Sequence, residues 1–400
     1  MTVRVRPRAP KHNMLNNYNF YQCNGINFQS KIEACIYSDT VNKPVRWVFT
    51  QKTWDKYHWK SEPTQTLDEL YDLRARELRE QYDYVILSYS GGADSHNILM
   101  SFVRQGLHID EIVTNHITQV TEKFTLVDPN NLAANNFASE HKLQTIPRLQ
   151  YIKNELPRTK LTVLDVSEAV LNSIVSIDDV DWALNRTDQL SVGQLFRYNY
   201  FYFSQLKKQF DKNLKICIIT GADKPRTVVR PDGSFYVFVT DTAANIAGIE
   251  AFNEEYDNIR TELFYWAEST APMVCKQAHV IKRWVEANPD KQKFWEEGPN
   301  QYKVFRIYHE RLLRSLLYPT TWDNNWFQSD KCTNWWHSEF DDWFRADPSL
   351  KKQNMLWDRG LEYVAKNASS YIKYNDNGVP DGLRTISFGY SLGQLNVQVD

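Results

Sequence analysis

Residues 84–100 read YVILSYSGGADSHNILM. Tyr84–Ser88 is a short apolar run of strand length. Ser-Gly-Gly-Ala-Asp-Ser follows at Ser90–Ser95, and a helix is predicted over Ser95–Gln105 with Ile98, Leu99 and Phe102 inward and Gly106 as its stop. Each part of this strand–turn–helix has a physical reason to hold an anion. Gly91 and Gly92 have no Cβ and can adopt φ > 0, so backbone N–H groups can close around an oxyanion. The predicted helix points its unsatisfied N–H groups and positive dipole end at the same spot. Ser90 and Ser95 add hydroxyl donors, and with Ser88 and Ala93 they complete the candidate phosphate-binding set. Asp94 reads as an exposed loop carboxylate. Beside phosphates it is repulsive unless a cation intervenes, which makes it a candidate Mg²⁺ ligand. The plain alternative is a tight turn that uses Gly for geometry and Asp/Ser for capping. The patterns GxxxxGK[ST] and GxGxxG are absent, so kinase-type P-loops and dinucleotide-binding dehydrogenases are poor competitors.

Outward from this stretch the chain alternates strands and helices. Glu111–Ile117, Leu161–Val166 and Lys215–Thr220 (KICIIT) are predicted strands, while Glu168–Ile177 and Ser191–Gln209 have helical character. Upstream, Thr66–Gln81 is an amphipathic helix with Leu67, Leu70, Tyr71 and Leu78 on one face and a Thr66/Glu69 capping box. The expected fold is therefore α/β, a doubly wound parallel sheet, with a mainly helical, Trp-rich C-terminal lobe. Residues 1–62 read as an N-terminal arm of loops, with a strand pair at Ile32–Tyr37 and Val45–Phe49. Residues 63–250 form the nucleotide-binding unit, and residues 251–400, which carry nine of the thirteen tryptophans, form the second lobe. Those tryptophans read as core or interface in the first place, and as a stacking platform for a nucleobase in the second.

Two loops give the chain a family likeness. SGGADS at Ser90–Ser95 resembles the PP-loop of the ATP pyrophosphatases, the adenine nucleotide alpha-hydrolase-like superfamily. KICIITGADKPR at Lys215–Arg226 resembles the Gly-Ala-Asp-Glu loop of its asparagine synthetase-like members. The resemblance implies ATP and Mg²⁺ as cofactors, with ATP cleaved between its α- and β-phosphates. A carboxylate or amide oxygen would be adenylylated and then attacked by a nitrogen nucleophile. It also implies that Asp223 shares the Mg²⁺–pyrophosphate with Asp94, and that Gly221 and Arg226 belong to the phosphate site. Lys224 stands where those synthetases have Glu; it or Arg226 could pair with the leaving pyrophosphate. Both loops should lie at the carboxyl ends of parallel strands, facing each other. Gln194 and Arg197 are weaker candidates for holding the acceptor or α-phosphate, and Thr114–His116 lies where the fold usually meets adenine. The chain begins Met1-Thr2-Val3, without the second-position cysteine of the amidotransferases, so nitrogen is expected from ammonia, an amine or a partner glutaminase.

Composition bounds the alternatives. Lys plus Arg number 47 against 49 Asp plus Glu, a formal charge of −2, so there is no global positive field for a polyanion, although nucleic acid as a partner stays open. No apolar run is long enough to span a bilayer. Five scattered cysteines with no CxxC pair fit reduced, cytoplasmic usage. Sulfur transfer or reduction, or modification of a nucleic-acid base, is the enzymatic alternative, with Cys275 the only thiol in a basic setting. A nucleotide-binding module without turnover is the third reading. The acceptor is expected to be a small molecule or nucleobase, and a homo-oligomer is compatible with everything above.

Overall fold

The computed structural model describes residues 20–48, 51–116, 144–178, 213–221, 225–239, 258–296, 306–323, 339–374, 380–383, 385 and 387–396. The chain enters through a small antiparallel sheet in which β1 (Phe20–Cys23) lies between β2 (Ile26–Phe28) and a strand four residues long downstream. Between them Lys31–Val41 is a helix, α1, so the strand expected at Ile32–Tyr37 is not formed. Ile32, Ala34, Cys35 and Ser38 bury at helical spacing, and the Ser30 hydroxyl accepts from the Glu33 N–H. That cap, Ser-Lys-Ile-Glu, was the overlooked signal; such a contact is worth about 1 kcal/mol. The strand β3 (Val45–Val48) forms as expected but takes β1 as its partner. A single turn, α2 (Gln51–Trp54), and then α3 (Leu67–Gln81) follow. Both halves of the Thr66/Glu69 capping box are present, and Leu67, Leu70, Tyr71 and Leu78 are buried as their spacing required.

The strand–helix alternation then folds into one sheet. Its strands are β4 (Tyr84–Ser88), β5 (Glu111–His116), β6 (Lys160–Asp165) and β7 (Ile216–Thr220), with one more after residue 250. The described helices between them are α4 (Ala93–Arg104), α5 (Ile146–Glu155) and α6 (Ser167–Val175). A hairpin, β8 (Arg226–Val229) and β9 (Ser234–Phe238), follows β7, and β10 (Ile259–Leu263) returns to the large sheet. The order β10-β7-β4-β5-β6 is parallel throughout. The protein is thus an α/β fold on a five-stranded parallel sheet. β4, first in sequence, is central; β5 and β6 add on one side, β7 and β10 on the other. The winding direction reverses between β4 and β7, and ligands of open α/β sheets lie beyond the carboxyl ends at such a reversal.

Burial explains why these runs are strands. Every residue of β7 is buried, as is the interior of β4. Leu87, Cys217 and Ile219 join the main core, while Ile86, Val113, Ile216, Ile218 and Ile259 form a second cluster on the other face. A sheet apolar on both faces must be covered on both. The sheet also extends past the division expected at residue 250, because β10 supplies its outer strand. Arg74 of α3 is buried and donates to Glu262 of β10 at 2.9 Å, and Tyr82 donates to the same carboxylate at 2.6 Å.

Beyond β10 the described chain is largely helical: α7 (Ala271–Ala287), α8 (Lys293–Glu296), α9 (Arg306–Leu317), α10 (Glu339–Ala346) and α11 (Lys351–Asn367). A short pair, β11 (Ile372–Tyr374) and β12 (Pro380–Leu383), follows, and β13 (Tyr390–Gln394) pairs with β9. Trp266, Trp295 and Trp357 are almost wholly buried, and Trp284, Trp322 and Trp343 pack against the same core. The first three are therefore core residues, and the other three are half-buried at its margin. Trp326, Trp335 and Trp336 lie outside the described residues. Among the described residues no helix is long and apolar enough to cross a membrane.

Candidate functional site

Ser90–Ser95 joins the end of β4 to α4, at the reversal of winding. Gly91 is buried and has φ +77°, a conformation that favours glycine. Space excludes a side chain as well: a Cβ there would lie 2.7–2.8 Å from the Thr145 Cα, N and Oγ1. Gly92 does not share the left-handed conformation expected of it. With φ −75° and ψ 166° it is the N-cap, and α4 begins at Ala93, two residues before the predicted start. Asp94 and Ser95 therefore stand in the first helical turn. Gly92, lacking a side chain, makes no side-chain cap hydrogen bond to the first turn.

The serines have separate duties. Ser90, exposed, accepts from the Gly92 N–H at 3.2 Å through its hydroxyl. Ser95 is buried; its hydroxyl donates to the Gly92 carbonyl at 3.1 Å and lies 3.4 Å from the Ser90 hydroxyl. Ser88 is half-buried at the end of β4. Two residues with no sequence signal hold the turn from outside. The Thr145 hydroxyl donates to the Ser90 carbonyl at 2.5 Å, and Arg148 Nη1 donates to the Gly91 carbonyl at 2.7 Å. Both carbonyls are thereby drawn toward α5. Because a trans peptide directs its N–H opposite to its C=O, the amides of Gly91 and Gly92 turn the other way. Arg148 also adds a buried positive charge beside the turn. Its charge, after burial itself, is why His96 is held well below the usual range, at about 4. His96 is consequently neutral near pH 7 and lies 3.1 Å from the Tyr89 hydroxyl, a packed histidine rather than a base.

Asp94 differs most from its expected character. It is half-buried rather than exposed, and its Oδ1 accepts from the Tyr318 hydroxyl at 2.6 Å. The Tyr265 hydroxyl donates to its backbone carbonyl at 2.8 Å. Burial, and then the nearby Asp94 charge, push both phenols well above their ordinary range, so they remain proton donors. Tyr265 follows β10 and Tyr318 follows α9, far from the loop in sequence; only the folded topology shows their part.

The second loop leaves β7 at Thr220, beside β4 and in the same direction, with Leu87 opposite Ile219. Gly221 lies against the start of α4: a Cβ on it would be 2.9 Å from Ile98 Cδ1 and 3.3 Å from the Ser95 nitrogen. The first residue of the second loop thus lies against the helix that follows the first loop, at the carboxyl edge of adjacent parallel strands. Asp223 and Lys224 lie outside the described residues, as do Gln194 and Arg197. Arg226 is the first residue of β8, opposite Phe238, in a sheet separate from the one that carries the loop. At the end of β5, His116 Nδ1 is 4.0 Å from Asp165 on β6, and Thr114 is buried.

Among the described residues no three His, Cys, Asp or Glu side chains cluster to hold a metal ion. Asp94 alone suits a cation that arrives with a nucleotide. Mg²⁺ commonly takes one or two carboxylates, phosphate oxygens and waters rather than an all-protein cage. Cys275, by contrast, is buried, its thiol is pushed up to about 12 by burial and then by the Glu62 charge, and it faces the Trp59 carbonyl. Compared with protein-family models the sequence matches none, and no curated protein matches it at a significant level.

Proposed function

We propose that the protein is an ATP-dependent, AMP- and pyrophosphate-forming synthetase of the asparagine synthetase-like kind. The observation that carries this reading is the Gly91 turn. A left-handed glycine, closed over by Thr145, leads into an α-helix capped without a side chain, at the winding reversal of a parallel sheet. Such a site suits a polyphosphate, since backbone amides and the helix dipole supply fixed positive poles. Gly221, seated against the first turn of α4, supports a second loop at the same edge.

In the proposed reaction an oxygen of the acceptor's carboxylate or amide attacks the α-phosphorus of ATP. The bond from that phosphorus to the α–β bridging oxygen breaks, and pyrophosphate leaves with the electron pair. A nitrogen nucleophile then displaces AMP from the adenylylated acceptor. The residues bind and orient: the Gly91 amide and the first-turn amides of α4 would hold the phosphate chain, and Asp94 would hold the cation that accompanies it. Mg²⁺, when bound, neutralises charge on the departing pyrophosphate. Asp223 and Lys224 belong to this proposal through the likeness of their loop alone. The sulfur-transfer alternative draws no support from Cys23, Cys35, Cys217 or Cys275, all of them buried.

The test is incubation of the protein with ATP labelled at the α-phosphate, Mg²⁺ and a metabolite extract. Labelled AMP, or an adenylylated compound, is expected. Labelled ADP would point to phosphoryl transfer at the γ-position, and retention of bound, unconverted ATP would point to a binding module.

A further inference from the structure

Two segments remote in sequence converge on Asp94. The Tyr318 hydroxyl reaches its carboxylate, and the Tyr265 hydroxyl reaches its backbone carbonyl. Tyr318 is itself held on several sides. The Tyr71 hydroxyl donates to the carbonyl of Leu317 at 2.8 Å, and Gln277 donates to the Tyr71 hydroxyl at 3.0 Å. The Thr321 hydroxyl donates to Asn97 at 2.8 Å, and Asn97 donates to the Tyr265 hydroxyl at 3.2 Å. The Tyr318 ring packs 5.9 Å from that of Tyr265 and 6.0 Å from that of Tyr71, centroid to centroid. A side chain with no exposed surface, mounted in this way, has one orientation to offer. Packing alone asks only for the ring. A hydroxyl in so dry a place is costly unless it finds an acceptor, and the acceptor here is a carboxylate in the first turn of the helix at the phosphate loop.

We propose that Tyr318 is the positioning residue for Asp94: its hydroxyl fixes the direction in which the carboxylate faces the nucleotide-bound cation. This rests on the ATP reading above. Outer-sphere partners that orient a ligating carboxylate typically account for about 10–100-fold in metal affinity. Tyr318 would never touch ATP or the acceptor, so its removal should register in the metal and not in the nucleotide.

The experiment uses the full chain with Tyr318→Phe. Mn²⁺ binding is measured by electron paramagnetic resonance in the presence of α,β-methylene-ATP, which cannot be cleaved between those phosphates. AMP release from labelled ATP is followed alongside as Mg²⁺ is varied. The Mn²⁺ dissociation constant should rise about tenfold or more. Half-saturating Mg²⁺ should rise in parallel, while half-saturating ATP at high Mg²⁺ stays within about twofold. Tyr71→Phe, which removes the hydrogen bond to the Leu317 carbonyl but keeps the ring, should move Mn²⁺ affinity in the same direction by less, and serves if Tyr318→Phe does not fold. Unchanged Mn²⁺ affinity in these variants, with the wild type binding Mn²⁺ and the analogue normally, would overturn the role of Tyr318 and leave the ATP reading standing. A wild-type protein that binds neither would overturn both.

Discussion

The backbone of Thr145 occupies the place where a side chain on Gly91 would begin, and its hydroxyl holds the carbonyl of the residue before it. Two constraints, a positive φ and a closed space, act on one glycine. Gly91→Ala should therefore lose ATP turnover and lower the unfolding midpoint, at a cost of at least about 1–2 kcal/mol from the left-handed backbone alone. Gly221→Ala should cost less, because its nearest neighbour is the end of the Ile98 side chain rather than backbone. Thermal unfolding of the two variants side by side checks the order, and the reverse order would contradict it.

Asp94 distinguishes charge from hydrogen bonding. Asp94→Asn retains an oxygen for the Tyr318 hydroxyl, so stability should stay near that of the wild type while turnover falls by about a hundredfold or more. Asp94→Ala leaves a buried phenol without its acceptor and should in addition lose about 1–3 kcal/mol. Urea titration and AMP release measured on both variants separate the effects. Equal stability of the two would mean that the phenol finds another partner.

His96 predicts an acid limb in stability. Its folded pKa, about 4, lies below the ordinary value of 6.5, so the unfolded chain binds the proton first. Its contribution is intact above about pH 6.5, declines as the pH falls, and is lost by about pH 4, a total of roughly 3 kcal/mol. His96→Gln should flatten that limb in denaturant titrations between pH 7 and pH 4.5. Arg148→Met should raise the His96 pKa, read by NMR titration, because the guanidinium charge is one of its two depressing causes.

Cys275 is expected to be chemically quiet. With its thiol pushed up to about 12, only about one molecule in 10⁵ is thiolate at pH 7. Cys275→Ser should leave turnover nearly unchanged, and iodoacetamide should label this thiol slowly in the folded protein. A loss of about a thousandfold would instead mark it as a nucleophile and turn the assignment toward sulfur transfer.

The parts of the site that were legible before the fold was known are those whose chemistry is local. Gly91 and Ser90–Ser95 announce a strand–turn–helix because composition, length and order agree within a dozen residues. The Thr66/Glu69 cap does the same for α3, and the Ser30/Glu33 pair marks the start of α1 against the strand-like run at Ile32–Tyr37. Thr145, Arg148, Tyr265 and Tyr318 carry no such mark. A threonine, an arginine and two tyrosines are ordinary residues until parallel pairing and helix packing bring them to the loop. The exposure of Asp94 was misread for the same reason, since its partner is 224 residues away. β10 was hidden differently: IRTEL is apolar only at Ile259 and Leu263, its inward middle position is the polar Thr261, and its membership rests on β7 beside it.

The order in which these pieces leave the ribosome follows from the strand order. β4 emerges first of the five and is the middle of the finished sheet, yet its partner β7 is made only after more than a hundred further residues. Until then one side of β4 is an open apolar edge, a template for pairing with another chain. β7 inherits that hazard until β10 arrives, and a fragment ending at residue 250 would retain it permanently. Slow, long-range closure of this kind is the kinetic signature of parallel sheets. Tyr318 emerges later still, so a nascent chain has its Gly91–Gly92 turn long before the Asp94 carboxylate is oriented.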